Sequence, residues 1–113
     1  MLLQYVVAIL LLIVIDIPWL SMGPGTEILT RIQGSPLRFS LGPAAVVYVA
    51  LAYLLLKQKS AWEAATTGVA VYAVYDFTNL AVFDKYTVAF AVQDTLWGGV
   101  LFGLAYTLLH RIL

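Results

Sequence analysis

The sequence predicts an all-α integral membrane protein, a bundle of four transmembrane helices. Three observations carry that prediction. Of 113 residues, 63% are hydrophobic and 11% are charged, which leaves too little polar surface for a soluble domain of this length. The apolar residues gather into four segments, about 2–22, 40–56, 61–83 and 87–109, and a helix needs ~20 residues to cross a hydrocarbon core of ~30 Å. None of the segments has the strict period-two alternation of a membrane strand.

The first segment lacks a basic n-region and a small-x-small cleavage pattern, and Asp16 and Pro18 interrupt its end. It reads as a retained membrane helix rather than a secretory signal. The connection after it opens with Gly23-Pro24-Gly25 and closes with Gly34-Ser35-Pro36. Between these breakers Thr26 is placed to cap a short surface helix carrying Glu27, Ile28, Leu29, Arg31 and Ile32. The second segment is short, and it spans only if Arg38 and Lys57 snorkel from its ends. Lys57 to Ser60 is a short basic connection and Asp84-Lys85-Tyr86 a tight one, so consecutive helices are antiparallel neighbours. No loop is large enough for a soluble domain, which leaves residues 1–113 as one multi-pass membrane domain. Four crossings put both termini on one side. That side carries Lys57, Lys59, Arg111 and the α-amino group, against Arg31, Arg38 and Lys85, a small bias toward cytoplasmic termini.

Composition also excludes functions. Six basic residues balance six acidic ones, so no bulk field favours nucleic acid. There is no Cys and one His, His110, which removes disulfides, cysteine chemistry and paired-His metal motifs. No cofactor is predicted, and the partner that composition implies is the lipid bilayer.

A weak internal repeat is visible. Asp16-Ile17-Pro18-Trp19-Leu20 resembles Asp76-Phe77-Thr78-Asn79-Leu80, and the run from Leu51 to Lys57 resembles that from Leu104 to His110. A duplicated two-helix unit would relate the halves about the membrane normal and make Asp16 and Asp76 equivalent.

The informative residues are three acids in apolar runs. Asp16 lies six residues before Met22, Asp76 seven before Phe83 and Asp94 eight after Tyr86. At ~1.5 Å per residue all three lie roughly 9–12 Å below one interface, in the leaflet away from the termini. Tyr72, Tyr75, Asp76 and Asn79 form one stripe of the third long helix. Trp19 and Trp97 each lie three residues after an acid, Gln93 directly precedes Asp94 and Thr78 lies two residues after Asp76. These seven residues form a predicted polar shell, whose indoles and phenols are able to donate to carboxylates. Charged carboxylates so close in low dielectric repel and are poorly solvated. Either some carry protons or a cation neutralises them, Arg38 and Lys85 being nearest. Against a site, polar residues in membrane bundles often act only as interhelical glue. Gly98, Gly99 and Gly103 give the last helix a face for close approach, within the bundle or between subunits.

Asp16-x-x-Trp19-Leu20, Tyr75-Asp76-Phe77-Thr78-Asn79 and Asp94-x-x-Trp97-Gly98 resemble, in order and spacing, the family catalogued as domain of unknown function 2177. The resemblance spans the whole chain. It implies a four-helix membrane protein and points to the same acids, without an established reaction. Such proteins occur in bacteria and in large DNA viruses, and Asp94-Thr95-Leu96-Trp97-Gly98-Gly99 is similar to the compact viral form, which would place the chain in a host or virion membrane. The first loop departs from the bacterial pattern, with Thr26-Glu27 where a Tyr is expected.

Three functions compete. The leading expectation is a small oligomeric channel or transporter for protons or cations, with Asp16, Asp76 and Asp94 as its binding site. A structural or assembly protein of a cellular or viral membrane is the alternative. A membrane enzyme acting on lipid or isoprenoid groups ranks lowest, because the acids stand singly, without an Asp-rich cluster or a partnering His.

Overall fold

The computed structural model describes residues 1–113, which form five helices and no strand. α1 spans Leu2–Met22, α2 Gly25–Gln33, α3 Leu41–Leu56, α4 Ala61–Val82 and α5 Val88–Ile112. α1 and α5 are each long and apolar enough to cross a membrane, and α3 is a shorter apolar helix of 16 residues.

The helix ends follow local chemistry. α1 stops where Gly23 turns extended, its N–H still donating to the Trp19 carbonyl. Gly34 ends α2 in the left-handed region at φ 77°, a conformation that costs a glycine nothing. Ser60 begins α4 by accepting the Glu63 N–H, and Glu63 reaches back to the Lys59 N–H, which satisfies two otherwise free donors. Thr87 begins α5 by accepting the Phe90 N–H. Thr26 does not cap α2, which starts one residue earlier after Pro24. Its hydroxyl donates instead to the Leu20 carbonyl at 3.2 Å and ties the surface helix to the end of α1.

The long helices make two hairpins, α1 with α3 and α4 with α5, joined where α1 packs on α5. α4 and α5 are the closest pair. A Cβ on Gly68 would clash with the Gly98 carbonyl oxygen, and one on Gly99 would lie 2.7 Å from Val69 Cγ2. The small-residue face of α5 therefore seats α4 within the chain. α5 is the central helix, with Phe90, Ala91, Asp94, Thr95, Gly98, Gly99, Leu101, Phe102, Ala105 and Leu109 buried. α1 buries only Ala8, Leu12 and Asp16, one residue per turn on one face. Its other faces expose Leu3, Leu10, Val14 and Ile17. An outside this apolar suits contact with lipid rather than water.

The core has two parts. The larger one, around Leu12, Leu51, Leu55, Leu101 and Phe102, fills the end of the bundle near the termini. The smaller one joins Ile28 of α2 to Tyr86, Phe90 and Ala91 at the opposite end, with Trp19 and Leu80 against it. Between them lie the buried acids.

Candidate functional site

Asp16, Asp76 and Asp94 are 4%, 0% and 6% exposed and belong to three different helices. Each faces inward because it continues a buried stripe. Asp16 follows Ala8 and Leu12 at four-residue steps on α1, and Asp76 follows Ala64 and Gly68 at multiples of four on α4.

α1 and α5 exchange their polar groups. Trp97 Nε1 donates to Asp16 Oδ1 at 2.8 Å, and Trp19 Nε1 donates to Asp94 Oδ1 at 2.7 Å. The two helices run antiparallel, so a pair of Asp-x-x-Trp motifs meets in a single register, each acid opposite the other motif's indole. The two indoles stack between the acids at 5.4 Å, with their planes 14° apart. Asp16 accepts a second bond, from the Tyr48 hydroxyl at 2.6 Å. Asp76 accepts the Tyr86 hydroxyl at 2.5 Å and the Thr95 hydroxyl at 3.4 Å. Asp94 lies within hydrogen-bonding reach of Asp76, which links the α1–α5 exchange to α4. The three acids thus form one connected layer across α1, α4 and α5, tied to α3 through Tyr48.

The predicted shell divides. Trp19 and Trp97 bond the acids directly. Tyr72 packs over Gly98, where a Cβ would clash with its ring, and it lies among all three carboxylates. Asn79 is half-buried, within hydrogen-bonding reach of Tyr75 and Tyr86. Tyr75, Thr78 and Gln93 are exposed and stand outside the layer. Gly103 leaves ordinary contact distances to α4, a Cβ there falling 3.4 Å from Ala65 Cβ.

Three partners escape a reading of spacing alone. Tyr48 sits on the buried stripe of α3 with Leu51, Ala52 and Leu55, and its helix has no acid to draw attention to it. Thr95 neighbours Asp94 and is masked by the more obvious motif. Tyr86 sits in a tight turn that looks solvated, yet it is 3% exposed because α2 packs over it through Ile28. No basic residue joins the layer. The one ion pair is Arg31–Glu27 on the surface of α2, Lys85 Nζ donates to the Arg31 carbonyl, and Arg38 is exposed. Arg38 and Lys85 are therefore not the counter-ions of the acids, and indole, phenol and hydroxyl donors take that place.

A family model described as a predicted membrane protein, DUF2177, matches residues 1–109. The chain belongs to the DUF2177 family. The match covers all three buried acids and their indole donors Trp19 and Trp97, so the layer lies within the DUF2177 region. No curated protein and no solved structure matches the chain.

Proposed function

We propose that this DUF2177 member crosses the bilayer four times, through α1, α3, α4 and α5, and that it is an oligomeric proton channel or transporter working through Asp16, Asp76 and Asp94. The observation that carries this reading is the contact between Asp76 and Asp94 inside a layer with no basic residue. Two carboxyl oxygens attract only when one of them carries a hydrogen, so bringing these two acids together suits a site that holds a proton. The donor set favours protons over metal cations. Asp16 faces an indole N–H and a phenol O–H, and Asp76 faces two hydroxyls, whereas a hard cation takes oxygen ligands with their lone pairs turned inward.

Four crossings are supported by the 43 Å long dimension of the bundle, close to a bilayer of ~40–45 Å with its headgroups. An even number of crossings leaves both termini on one face, and the distribution of Lys and Arg favours the cytoplasmic one. A single chain has its centre filled by stacked indoles, so a continuous path requires their movement or a second subunit.

A specific observation favours a second reading. Every buried side-chain nitrogen and oxygen has a hydrogen-bond partner. A fully satisfied layer is what a purely structural lock needs, and this would suit an assembly protein of a cellular or viral membrane. Proton flux into liposomes containing the purified protein separates the two, because a lock moves no protons.

A further inference from the structure

A second feature lies on the outside of the bundle, away from the acids. A shallow, open groove of about 690 Å³ follows α3 along Ala45, Val49, Ala50, Tyr53 and Leu54, with Tyr5 of α1 at its edge. Its lining is entirely hydrophobic and includes no residue of the acid layer. From Ala45 to Leu54 it follows α3 for roughly 14 Å, a length that suits the upper part of one acyl chain. The small residues on α3 keep it concave.

One end of the groove carries a cation. The Lys57 ammonium lies 4.9 Å from the centroid of the Tyr53 ring, and Tyr53 lines the groove. A cation over an aromatic face is held by the ring quadrupole, so the charge of Lys57 is kept above the groove instead of sweeping freely through solvent. Lys59 follows two residues later, exposed at the same end. Neither lysine ammonium forms an ion pair, the only one being on α2, and the nearby Glu63 carboxylate is engaged by the Lys59 backbone N–H and not by an ammonium.

The geometry points to a binding site for one anionic phospholipid, its acyl chain in the α3 groove and its phosphate on Lys57. The inference rests on the membrane-spanning reading, because only a chain lying in a bilayer presents this groove to lipid tails. Charge complementarity selects the occupant. A bare apolar groove would accept any lipid, whereas a fixed cation at its mouth discriminates between headgroups.

The test uses the full chain purified in detergent, offered equal amounts of phosphatidylglycerol and phosphatidylcholine, with retained lipid read by native mass spectrometry. One phosphatidylglycerol per chain is expected, preferred on the order of fivefold. Lys57→Gln should keep a bound lipid but lose the preference. Ala50→Trp should fill the groove and lose the lipid. Both positions are exposed, so neither change disturbs the core. Equal retention of the two lipids by the unaltered chain, no retention, or retention unchanged by Ala50→Trp would overturn the site. So would a mass showing a second copy of the chain bound in a manner that Ala50→Trp abolishes. Alkaline extraction of membranes keeps this failure apart from that of the spanning reading. A chain that stays with the membrane yet shows no lipid preference refutes the site alone, while a chain released by alkali refutes the spanning reading.

Discussion

Trp19 and Trp97 stack face to face at 5.4 Å while each donates its indole N–H to the aspartate of the other's helix, Trp19 to Asp94 and Trp97 to Asp16. The crossing makes α1 and α5 interdependent. Neither acid is satisfied by its own helix, so separating the helices takes an indole donor from each carboxyl group and leaves two indoles without partners in an apolar environment.

Removing these donors should therefore be costly and non-additive. Trp97→Phe and Tyr48→Phe each take one donor from Asp16, and each should cost about 1–2 kcal/mol. The double variant strips both, leaving a bare buried acid, and it should cost more than the two single losses together. Unfolding in detergent by a denaturing surfactant measures all three. Strict additivity would mean that Asp16 finds other partners.

Tyr86→Phe removes the phenol from Asp76 and leaves it the long Thr95 bond at 3.4 Å and the contact with Asp94. A loss of about 1–3 kcal/mol is expected. Tyr75→Phe is the control, since Tyr75 is 52% exposed, and it should stay within ~0.5 kcal/mol of the parent. Thermal melts of the two variants side by side make the comparison.

The same tyrosine gives a pH dependence. Tyr86 lies in the turn between α4 and α5, and burial, followed by its bond to Asp76, pushes its phenol above the ordinary value of 10.0. Because the folded state holds the proton more tightly, the stability that Tyr86 contributes is fully present below pH ~10 and is lost as pH rises beyond it. Melting temperature should fall on the alkaline side more steeply in the parent than in Tyr86→Phe. Parallel alkaline profiles would contradict this assignment.

The α4–α5 contact makes opposite predictions for neighbouring glycines. Gly68→Ala drives a methyl into the Gly98 carbonyl, and with backbone on the other side the helices must separate, at about 1–3 kcal/mol or more. Gly103→Ala meets only ordinary contacts, and it should be neutral or gain up to ~1 kcal/mol from helix propensity. Size-exclusion profiles and melts of the two variants distinguish these outcomes.

Much of this fold was legible before any coordinates. Hydropathy and the breakers at Gly23-Pro24-Gly25 and Gly34-Ser35-Pro36 mark the helices, because an apolar run and a residue that frees the backbone are both local properties. The common depth of the acids followed from counting along antiparallel helices. What spacing could not supply was rotation about each helix axis. That rotation decides that Trp19 serves Asp94 rather than Asp16, that Gln93 and Thr78 point outward, and that Gly98 receives Tyr72. Tyr86 stayed hidden for another reason. Its burial depends on α2 folding back over the turn, a long-range contact with no local signature. The expected basic counter-ions are absent because Arg38 and Lys85 lie on loops whose backbone holds them at the surface.

The central claim is that the Asp16–Asp76–Asp94 layer passes protons. Its most direct test is proton flux into liposomes containing the purified protein, driven by a potassium diffusion potential and read by a trapped pH-sensitive dye, for the parent chain and for Asp76→Asn. The amide preserves the shape and one acceptor of the acid but cannot gain or lose the proton. Flux in the parent that disappears in a folded Asp76→Asn chain is the predicted result. A folded parent without flux above empty liposomes, or flux unchanged by Asp76→Asn, would contradict the claim.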